Sequence, residues 1–358
     1  MKPKTNPEKP QRAHLAIVRP GFEDAFKSEL FERFKLESNV LCRAGVGTRE
    51  TLTLPKLTET VFARQYLPRA LRHQGASDDM AKQFVSKRVD VLVERSNRQK
   101  GLWTLHAYST DNDDALARAR SISKSVLAHI QSKHKEFFKR YISKDEFART
   151  QRSGEDFILQ IYCPVVDDLW FSISRIDDGV SLFEGGFRPM KTLAQAPSRS
   201  ASKLEEALNL MGRHPSPGDT AVDLGAAPGG WSLVLARYGA NVKAIDHAEL
   251  SLGPKVKLKG HIEHIKANGL KFMPEEPVDW MVCDMVMGSQ ETLKILAKWL
   301  DAGAMRQFIV NVKLPKQGPW KGVSEAIQLT RTINDFKVGV RQLIHDRSEI
   351  TIFGYKIS

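Results

Sequence analysis

The sequence has few cysteines and no long apolar run. Its three cysteines, Cys42, Cys163 and Cys283, lie far apart among 358 residues. This spacing excludes a disulfide framework and a cysteine zinc cluster, and we predict no metal site. No segment approaches the roughly 18 consecutive apolar residues that a membrane helix needs. The first residues are polar, with three prolines and no apolar core, unlike a signal peptide. We therefore expect a cytoplasmic protein with no membrane partner.

Acidic residues are the minority charge. The chain has 54 Lys and Arg against 42 Asp and Glu, a net charge of +12. Residues 64–152 hold 19 basic and 10 acidic residues, whereas residues 153–190 hold 2 and 7. A basic balance favours a polyanionic partner, and nucleic acid is the first candidate. The alternative is that these charges form an ordinary solvated helix face.

The length suggests two or three domains. Residues 1–12 are predicted to form a disordered tail. Residues 13–75 have the pattern of a ferredoxin-like α+β module, and residues 76–185 that of a second α+β module with a long helix over 111–140. A loop rich in Gly and Pro then precedes residues 186–358, where strands and helices alternate as in a doubly wound, Rossmann-like α/β domain.

The strands predicted in this last domain are 221–224, 242–246, 261–266, 280–284, 307–314, 339–345 and 349–356. The last two are expected to be joined by a tight turn at residues 346–348.

Residues 220–232 combine a short apolar strand, an acidic residue, a glycine-rich turn and a helix start. The loop reads D-x-G-A-A-P-G-G-W, whereas the G-x-G-x-x-G form serves a dinucleotide pyrophosphate. S-adenosylmethionine (SAM) carries no phosphate and only needs to lie close to the backbone, which Gly225, Gly229 and Gly230 allow. The loop therefore predicts a SAM site. Trp231 has two interpretations: it stacks on a nucleic-acid base, or it packs beneath the loop.

Two polar residues follow the next strands. Asp246 lies 21 residues after Gly225, and an acidic residue at about this spacing typically binds ribose hydroxyls. An ordinary acidic residue at a strand end is the alternative. Asn268 follows the third strand and is a candidate adenine contact, although Asn-Gly is also a common turn sequence.

Two lysines and two acidic residues surround the loop. Lys203 lies at the start of the helix before it, Asp284 and Lys313 end two strands, and Glu349 begins the last strand. Ligands of open α/β sheets bind at the carboxyl ends of the parallel strands. A lysine within an apolar strand is costly to bury, so Lys313 is either catalytic or the ion-pair partner of Asp284.

These four residues resemble the K-D-K-E tetrad of the FtsJ-type RNA ribose 2′-O-methyltransferases. The matching segments are 198–207, 222–231, 280–286, 313–315 and 341–349. The chain is most similar to members that carry an N-terminal THUMP-type RNA-binding region, which would correspond to residues 76–185. Those members methylate the ribose of one cytidine in 23S rRNA.

The resemblance implies SAM as cofactor and Lys313 as proton acceptor, with Lys203, Asp284 and Glu349 completing the catalytic set. It implies 23S rRNA as the partner before full subunit assembly, without an obligate protein partner. The cofactor contacts that it implies are Ser200, Ala227, Pro228, Gly229, Gly230, Asp246, Asn268 and Asp284. The family commonly has Asp at the position of Asn268. An amide oxygen still accepts a hydrogen bond from the adenine amino group.

A ribose hydroxyl must lose its proton when it attacks a methyl group. A free lysine has a pKa of about 10.4 and needs a lower value to act as a base at neutral pH. Burial and Lys203 would lower the pKa of Lys313, and Asp284 would raise it. The sequence leaves this balance open.

Other functions are compatible with the same fold class. Exocyclic-amine methyltransferases carry prolines after the fourth strand, and none follows Asp284. Cytosine-C5 enzymes need a thiolate nucleophile, whereas Cys283 is predicted to face the core. The remaining alternatives are a non-catalytic RNA-binding or ribosome assembly factor, and a 2′-O-methyltransferase that acts on a different RNA.

Overall fold

The computed structural model describes residues 11–48, 54–95, 101–150, 153–188, 200–252 and 258–357. The chain divides into two compact units, Met1–Arg188 and Pro189–Ser358. The boundary predicted at residue 186 falls at the end of the first unit. In the described ranges, no helix is both long and apolar enough to span a bilayer.

The described residues of the first unit form one seven-stranded sheet in the order β2-β3-β1-β4-β7-β6-β5. Its strands are β1 (Arg12–Ile17), β2 (Asn39–Cys42), β3 (Gly45–Thr48), β4 (Gln65–Gln74), β5 (Trp103–Tyr108), β6 (Phe157–Val165) and β7 (Asp168–Arg175). Its helices are α1 (Glu23–Phe34), α2 (Asp78–Arg95), α3 (Asp113–Lys133), α4 (Lys135–Phe138) and α5 (Lys144–Arg149). Only β5 and β6 pair in parallel among these neighbours.

The sheet crosses the predicted border between the two N-terminal modules, because β4 pairs with β7 from Leu71 opposite Phe171 to Gln74 opposite Asp168. The division of residues 13–185 into a ferredoxin-like and a THUMP-type module stays a prediction.

Two sequence-based boundaries in this unit are wrong. Arg12 begins β1, and the Gln11 carbonyl accepts a hydrogen bond from the Arg72 amide at 3.0 Å. Strand pairing therefore orders residues 11 and 12, which were predicted to belong to the disordered tail. Residues 1–10 lie outside the described part. The helix predicted over 111–140 ends at Lys133, because His134 has non-helical dihedrals (φ −126°, ψ 57°) before the short α4.

In the second unit, the part of the chain that the structure describes also contains seven strands, in the order β10-β9-β8-β11-β12-β14-β13. They are β8 (Thr220–Leu224), β9 (Asn241–Ile245), β10 (His261–Ile265), β11 (Val278–Cys283), β12 (Met305–Lys313), β13 (Phe336–Arg341) and β14 (Glu349–Lys356). The helices are α6 (Ala201–Met211), α7 (Gly230–Tyr238), α8 (Ser289–Asp301) and α9 (Trp320–Arg331).

The first five strands of this unit, β8 to β12, are parallel, and β14 is antiparallel to both β12 and β13. This is a Rossmann-like arrangement, as predicted for residues 186–358. The carboxyl ends of β8, β9, β11 and β12 meet at one edge, where ligands bind in such sheets.

Trp231 packs beneath the glycine loop. Its side chain is 3% exposed and lies in the core that α6 and α7 form with the sheet. Its indole Nε1 donates to the Ser200 carbonyl at 2.8 Å. The base-stacking interpretation is therefore wrong, because the ring is covered and its only donor is used.

The tight turn predicted at residues 346–348 is also wrong. Strand β13 ends at Arg341, and residues 342–348 connect it to β14. The buried Asp346 carboxyl accepts from the Leu343 amide at 2.9 Å. Glu206 of α6 accepts from the amides of Ile344 and His345 at 2.8 and 3.3 Å. Side chains thus satisfy the backbone donors that a longer strand would have used.

Candidate active site

The glycine loop between β8 and α7 approaches its neighbours closely. Gly225 and Gly229 have left-handed dihedrals, with φ of 74° and 110°. A Cβ atom on Gly225 would lie 2.2 Å from Met285 Cγ, and one on Gly229 would lie 2.4 Å from Leu252 Cδ2. The positive φ favours glycine at both positions, and at Gly225 the Met285 side chain also leaves little room for a Cβ atom. Met285, which follows Asp284 and lies against Gly225, was not predicted from the sequence.

Asp246 ties the loop to the end of β9. One carboxylate oxygen accepts from the Ala227 amide at 3.0 Å, and the other accepts from the Ala248 amide at 2.9 Å. Each oxygen keeps a further lone pair, so the carboxylate can still accept from two ribose hydroxyls. The geometry is compatible with the predicted ribose contact, which stays a prediction.

The other predicted cofactor contacts occupy the same unit. Ala227, Pro228, Gly229 and Gly230 form the turn into α7. Ser200 precedes α6, and its carbonyl is used by Trp231. Asn268 is exposed, and its side-chain oxygen accepts from the Leu270 amide at 2.9 Å. That bond is typical of a turn, which supports the turn interpretation of Asn268 and leaves the adenine contact a prediction.

The four tetrad residues come together at the carboxyl edge of the sheet. Lys313 Nζ lies 2.6 Å from Asp284 Oδ1 and also donates to Glu349. The second oxygen of Glu349 accepts from Lys203, whose Nζ lies 3.9 Å from Asp284 Oδ2. Lys313 and Glu349 are direct partners in the antiparallel pairing of β12 with β14. Strand register therefore brings together two residues that are 36 positions apart in the sequence.

The tetrad is a compact ionic cluster of two ammonium groups and two carboxylates. The side chain of Lys313 is 25% exposed, against 12% for Lys203, 16% for Asp284 and 7% for Glu349. Lys313 is therefore the member most accessible to a substrate. Buried charges need partners of this kind, since an unpaired charge is costly to desolvate.

The carboxylates control the protonation of Lys313. Burial by itself lowers the pKa of Lys313, but Asp284 and Glu349 outweigh it, and the pKa is raised above its ordinary value. Burial likewise raises the pKa of Glu349, but Lys203 and Lys313 outweigh it, and that pKa is lowered. In the resting site, Lys313 is therefore an ammonium ion. The balance that the sequence left open favours the charged form.

A second layer of polar side chains supports Asp284. Asn311 is fully buried, and its Nδ2 donates to Asp284 Oδ1 at 3.0 Å. Thr351, also fully buried, donates its hydroxyl to Asn311 Oδ1 at 2.5 Å. Neither Asn311 nor Thr351 was predicted from the sequence. The sequence did contain a signal for Asn311. It lies two positions before Lys313 in an apolar strand, so the two side chains are on the same face.

Two further groups lie beneath the edge. Ser232 donates to the buried Asp223 at 2.7 Å, which joins the first turn of α7 to β8. Burial raises the pKa of Asp223 to about 7. Cys283 is fully buried, and burial raises the pKa of its thiol to about 12. This confirms that Cys283 belongs to the core, because a nucleophilic cysteine needs an accessible thiolate.

Residues 196–317 match the sequence family described as FtsJ-like methyltransferase. The "Ribosomal RNA large subunit methyltransferase M" of Azoarcus sp. (strain BH72) is 31% identical over 95% of this chain and 94% of its own length. The chain belongs to the ribosomal RNA large subunit methyltransferase M family. Its relative of the same name in Xylella fastidiosa (strain 9a5c) is 40% identical over 176 residues, 47% of this chain and 50% of the relative.

Among solved structures, TrmN from Thermus thermophilus covers 97% of this chain and 100% of its own, with 12% identity and a TM-score of 0.34. Family membership confirms the predicted methyltransferase fold and SAM as the cofactor. The left-handed glycines between β8 and α7 fit a ligand that lies against the backbone.

Among the described residues, one cluster of possible metal ligands lies in the first unit. Nε2 atoms of His129 and His134 lie 2.8 and 2.7 Å from Asp90 Oδ1. The other oxygen of Asp90 accepts from Lys133 at 2.7 Å. Three side chains thus already satisfy this carboxylate, and the adjacent ammonium opposes a divalent cation. The predicted absence of a metal stays a prediction.

Proposed function

We propose that this protein methylates the ribose 2′-hydroxyl of one cytidine in 23S rRNA, with Lys313 as the proton acceptor. The observation that supports this most strongly is the position of Lys313 at the carboxyl edge of the sheet. There it contacts Asp284 and Glu349 and remains the most exposed tetrad member. SAM, when bound, supplies an electrophilic methyl group, so the reaction needs a proton acceptor and no covalent enzyme intermediate.

The protein's own groups prepare the proton transfer. Asp284 and Glu349 fix Lys313 Nζ from two sides, so a single amine position faces the substrate. Lys203 holds the second oxygen of Glu349 and thereby limits its rotation. A base that is already positioned loses little entropy when the hydroxyl arrives.

The same contacts impose a condition on catalysis. Since the carboxylates raise the pKa of Lys313, only a small fraction of the enzyme carries the neutral amine near neutral pH. That fraction increases with pH, so the rate of methylation should increase as well. The network thus holds the Lys313 amine in position but lowers the fraction of enzyme in which that amine is neutral.

The substrate assignment is tested by locating the methyl group. Unmodified 23S rRNA is incubated with the full chain and SAM labelled in the methyl group, and the rRNA is digested to nucleosides. We expect label in 2′-O-methylcytidine at one position. Label in a base would contradict the proposal. Tight RNA binding without transfer would instead support an assembly factor, and transfer only to another RNA would identify a different substrate.

The timing of the reaction has its own test. We propose that the target is rRNA that has not been fully assembled, because a ribose must be unpaired and accessible to reach this edge. Naked 23S rRNA should then be methylated faster than rRNA in complete large subunits. Equal or faster methylation of complete subunits would contradict this part of the proposal.

A further inference from the structure

A buried carboxyl group lies behind the tetrad and takes no direct part in the proposed reaction. Asp346, in the connection between β13 and β14, has no solvent exposure. Its Oδ2 lies 3.2 Å from the hydroxyl of Thr351. Thr351 contacts Asn311, which contacts Asp284. A continuous chain of hydrogen bonds therefore joins Asp346 to the carboxylate that holds Lys313.

The direction of each bond follows from what each atom can donate. Asp284 Oδ1 already binds the Lys313 ammonium and acts only as an acceptor, so Asn311 presents its Nδ2 to it. The amide oxygen of Asn311 then faces Thr351, and an amide oxygen can only accept. The single hydroxyl proton of Thr351 is thus committed to Asn311, over 2.5 Å.

The next contact joins two oxygens, Thr351 Oγ1 and Asp346 Oδ2. Because Thr351 has no second proton, this contact is a hydrogen bond only if Asp346 donates. The surroundings of Asp346 also favour its protonated form. Burial is the main cause that raises the pKa of Asp346 well above its ordinary value. Glu349 and Glu206 act in the same direction, and they oppose the lowering by Lys203 and by the Leu343 amide, which donates to Asp346 Oδ2 at 2.9 Å. An ionised Asp346 would add an uncompensated negative charge beside two paired carboxylates.

We propose that Asp346 is a neutral carboxylic acid that donates its proton to Thr351 and so orients Asn311 toward Asp284. Asp346 is a positioning residue for Lys313, and this role depends on the proposed function of Lys313 as the base. If Asp346 were ionised, Thr351 would turn its proton toward Asp346. The oxygen of Asn311 would then lose its donor, and Asp284 would lose the fixed amide that orients it.

The protonation state can be measured without RNA or cofactor. The infrared difference spectrum between the full-length protein and Asp346→Asn, near neutral pH, should contain the C=O stretch of a protonated carboxyl group. Asp223→Asn removes a different buried acid and is the matched control. The Asp346 band should persist in the spectrum of this variant and should therefore cancel from its difference spectrum with the wild type. Absence of the band from the Asp346→Asn difference spectrum would overturn the proposal.

Substitution of Thr351 tests the same bond if Asp346→Asn does not fold. Thr351→Val keeps the shape but removes the acceptor, so the carboxyl band should shift to higher frequency, and Thr351→Ser should restore it. An unshifted band in a folded Thr351→Val protein would show that Asp346 does not donate to this hydroxyl.

The positioning role is tested by kinetics. Thr351→Val should lower kcat roughly tenfold, the effect of about one hydrogen bond, with an unchanged KM for SAM. Thr351→Ser should recover the rate. An unchanged kcat in Thr351→Val would overturn the positioning role, and so would an equal loss in both variants. If the wild-type protein methylates no ribose while the infrared band is present, the proposed function fails and the protonation of Asp346 stands.

Discussion

The two units bury charged side chains for different purposes. In the first unit, each buried acidic residue joins one backbone segment to another. Glu29 accepts from the amides of Val61 and Phe62 at 2.7 and 3.2 Å, and Asp168 forms a two-point ion pair with Arg72 across β7 and β4. These groups fix one backbone segment against another. The Glu29 and Asp168 carboxylates do not meet at a common site.

In the second unit, the buried charges converge. Lys203, Asp284, Lys313 and Glu349 come from four different elements and meet at the carboxyl edge of the sheet. The difference follows from topology. Parallel strands bring their carboxyl ends to one edge, whereas antiparallel strands alternate their direction. The second arrangement places its charged groups at the edge where ligands of such sheets bind, and Lys313 is 25% exposed there.

The comparison predicts its largest effect at Lys313. Lys313→Ala should lower kcat by about 10²–10⁴-fold, the usual contribution of a general base, while SAM still binds. The exposed Lys294 on α8 provides a matched control, because Lys294→Ala removes the same charge from the same unit away from the tetrad. Near-normal turnover of Lys313→Ala with SAM bound would remove Lys313 from the mechanism.

Burial of Asp223 beneath the site should lower the stability of the protein at neutral pH. The pKa of Asp223 is raised from 3.8 to about 7. Between these values the folded chain keeps a proton that the unfolded chain has lost, so the free energy of unfolding falls as pH rises and levels off above about pH 7. At about 1.4 kcal/mol per pKa unit, the loss is on the order of 4 kcal/mol.

Asp223→Asn should remove this dependence. Urea unfolding of the wild type and the variant at several pH values measures the difference between their free energies of unfolding. That difference should change in favour of the variant as pH rises from about 4 to about 7. A constant difference over this range would show that Asp223 is ionised at low pH in the folded chain.

The third prediction concerns the first unit, where removal of a buried charge should affect the fold. Glu29→Ala leaves two buried amides without an acceptor and should destabilise the first unit by about 3 kcal/mol. Glu29→Gln keeps an acceptor oxygen and should cost less. Thermal unfolding measures both, and SAM affinity below the unfolding temperature should not change. Unchanged stability together with weaker SAM binding would contradict the comparison.

The smallest predicted effect is at Asp246. Asp246→Ala should weaken SAM binding by about 10–100-fold, as expected for the loss of charge-assisted hydrogen bonds to ribose. Asp279, at the opposite ends of the strands, contacts Thr220 and Arg306. Asp279→Ala should leave SAM affinity unchanged in a calorimetric titration. Equal losses in the two variants would mean that Asp246 acts through the fold alone.

The sequence was sufficient to predict the tetrad and the glycine loop. Asp284 and Lys313 follow short apolar strands, and the carboxyl ends of parallel strands meet at one edge. That rule predicts the proximity of these residues without coordinates. The role of Gly225 and Gly229 was likewise predictable, because glycines in a turn between a strand and a helix allow a ligand to lie close to the backbone.

The support behind the tetrad was not predictable in the same way. Asn311, Thr351 and Asp346 interact because β14 pairs with β12 in one register and because residues 342–348 form a buried connection. That connection depends on Glu206, which lies on a helix more than a hundred residues earlier. Such contacts arise from tertiary packing, and no local pattern encodes them. The resting charge of Lys313 was open for the same reason.

The most direct test of this account is the pH dependence of single-turnover methylation with saturating SAM and 23S rRNA. Because Asp284 and Glu349 raise the pKa of Lys313, the wild-type rate should increase about tenfold per pH unit from neutral pH upward. Lys313→Ala should retain only a slow rate without this increase. A wild-type rate that is independent of pH over this range, or the same increase in Lys313→Ala, would contradict the assignment of Lys313 as the base.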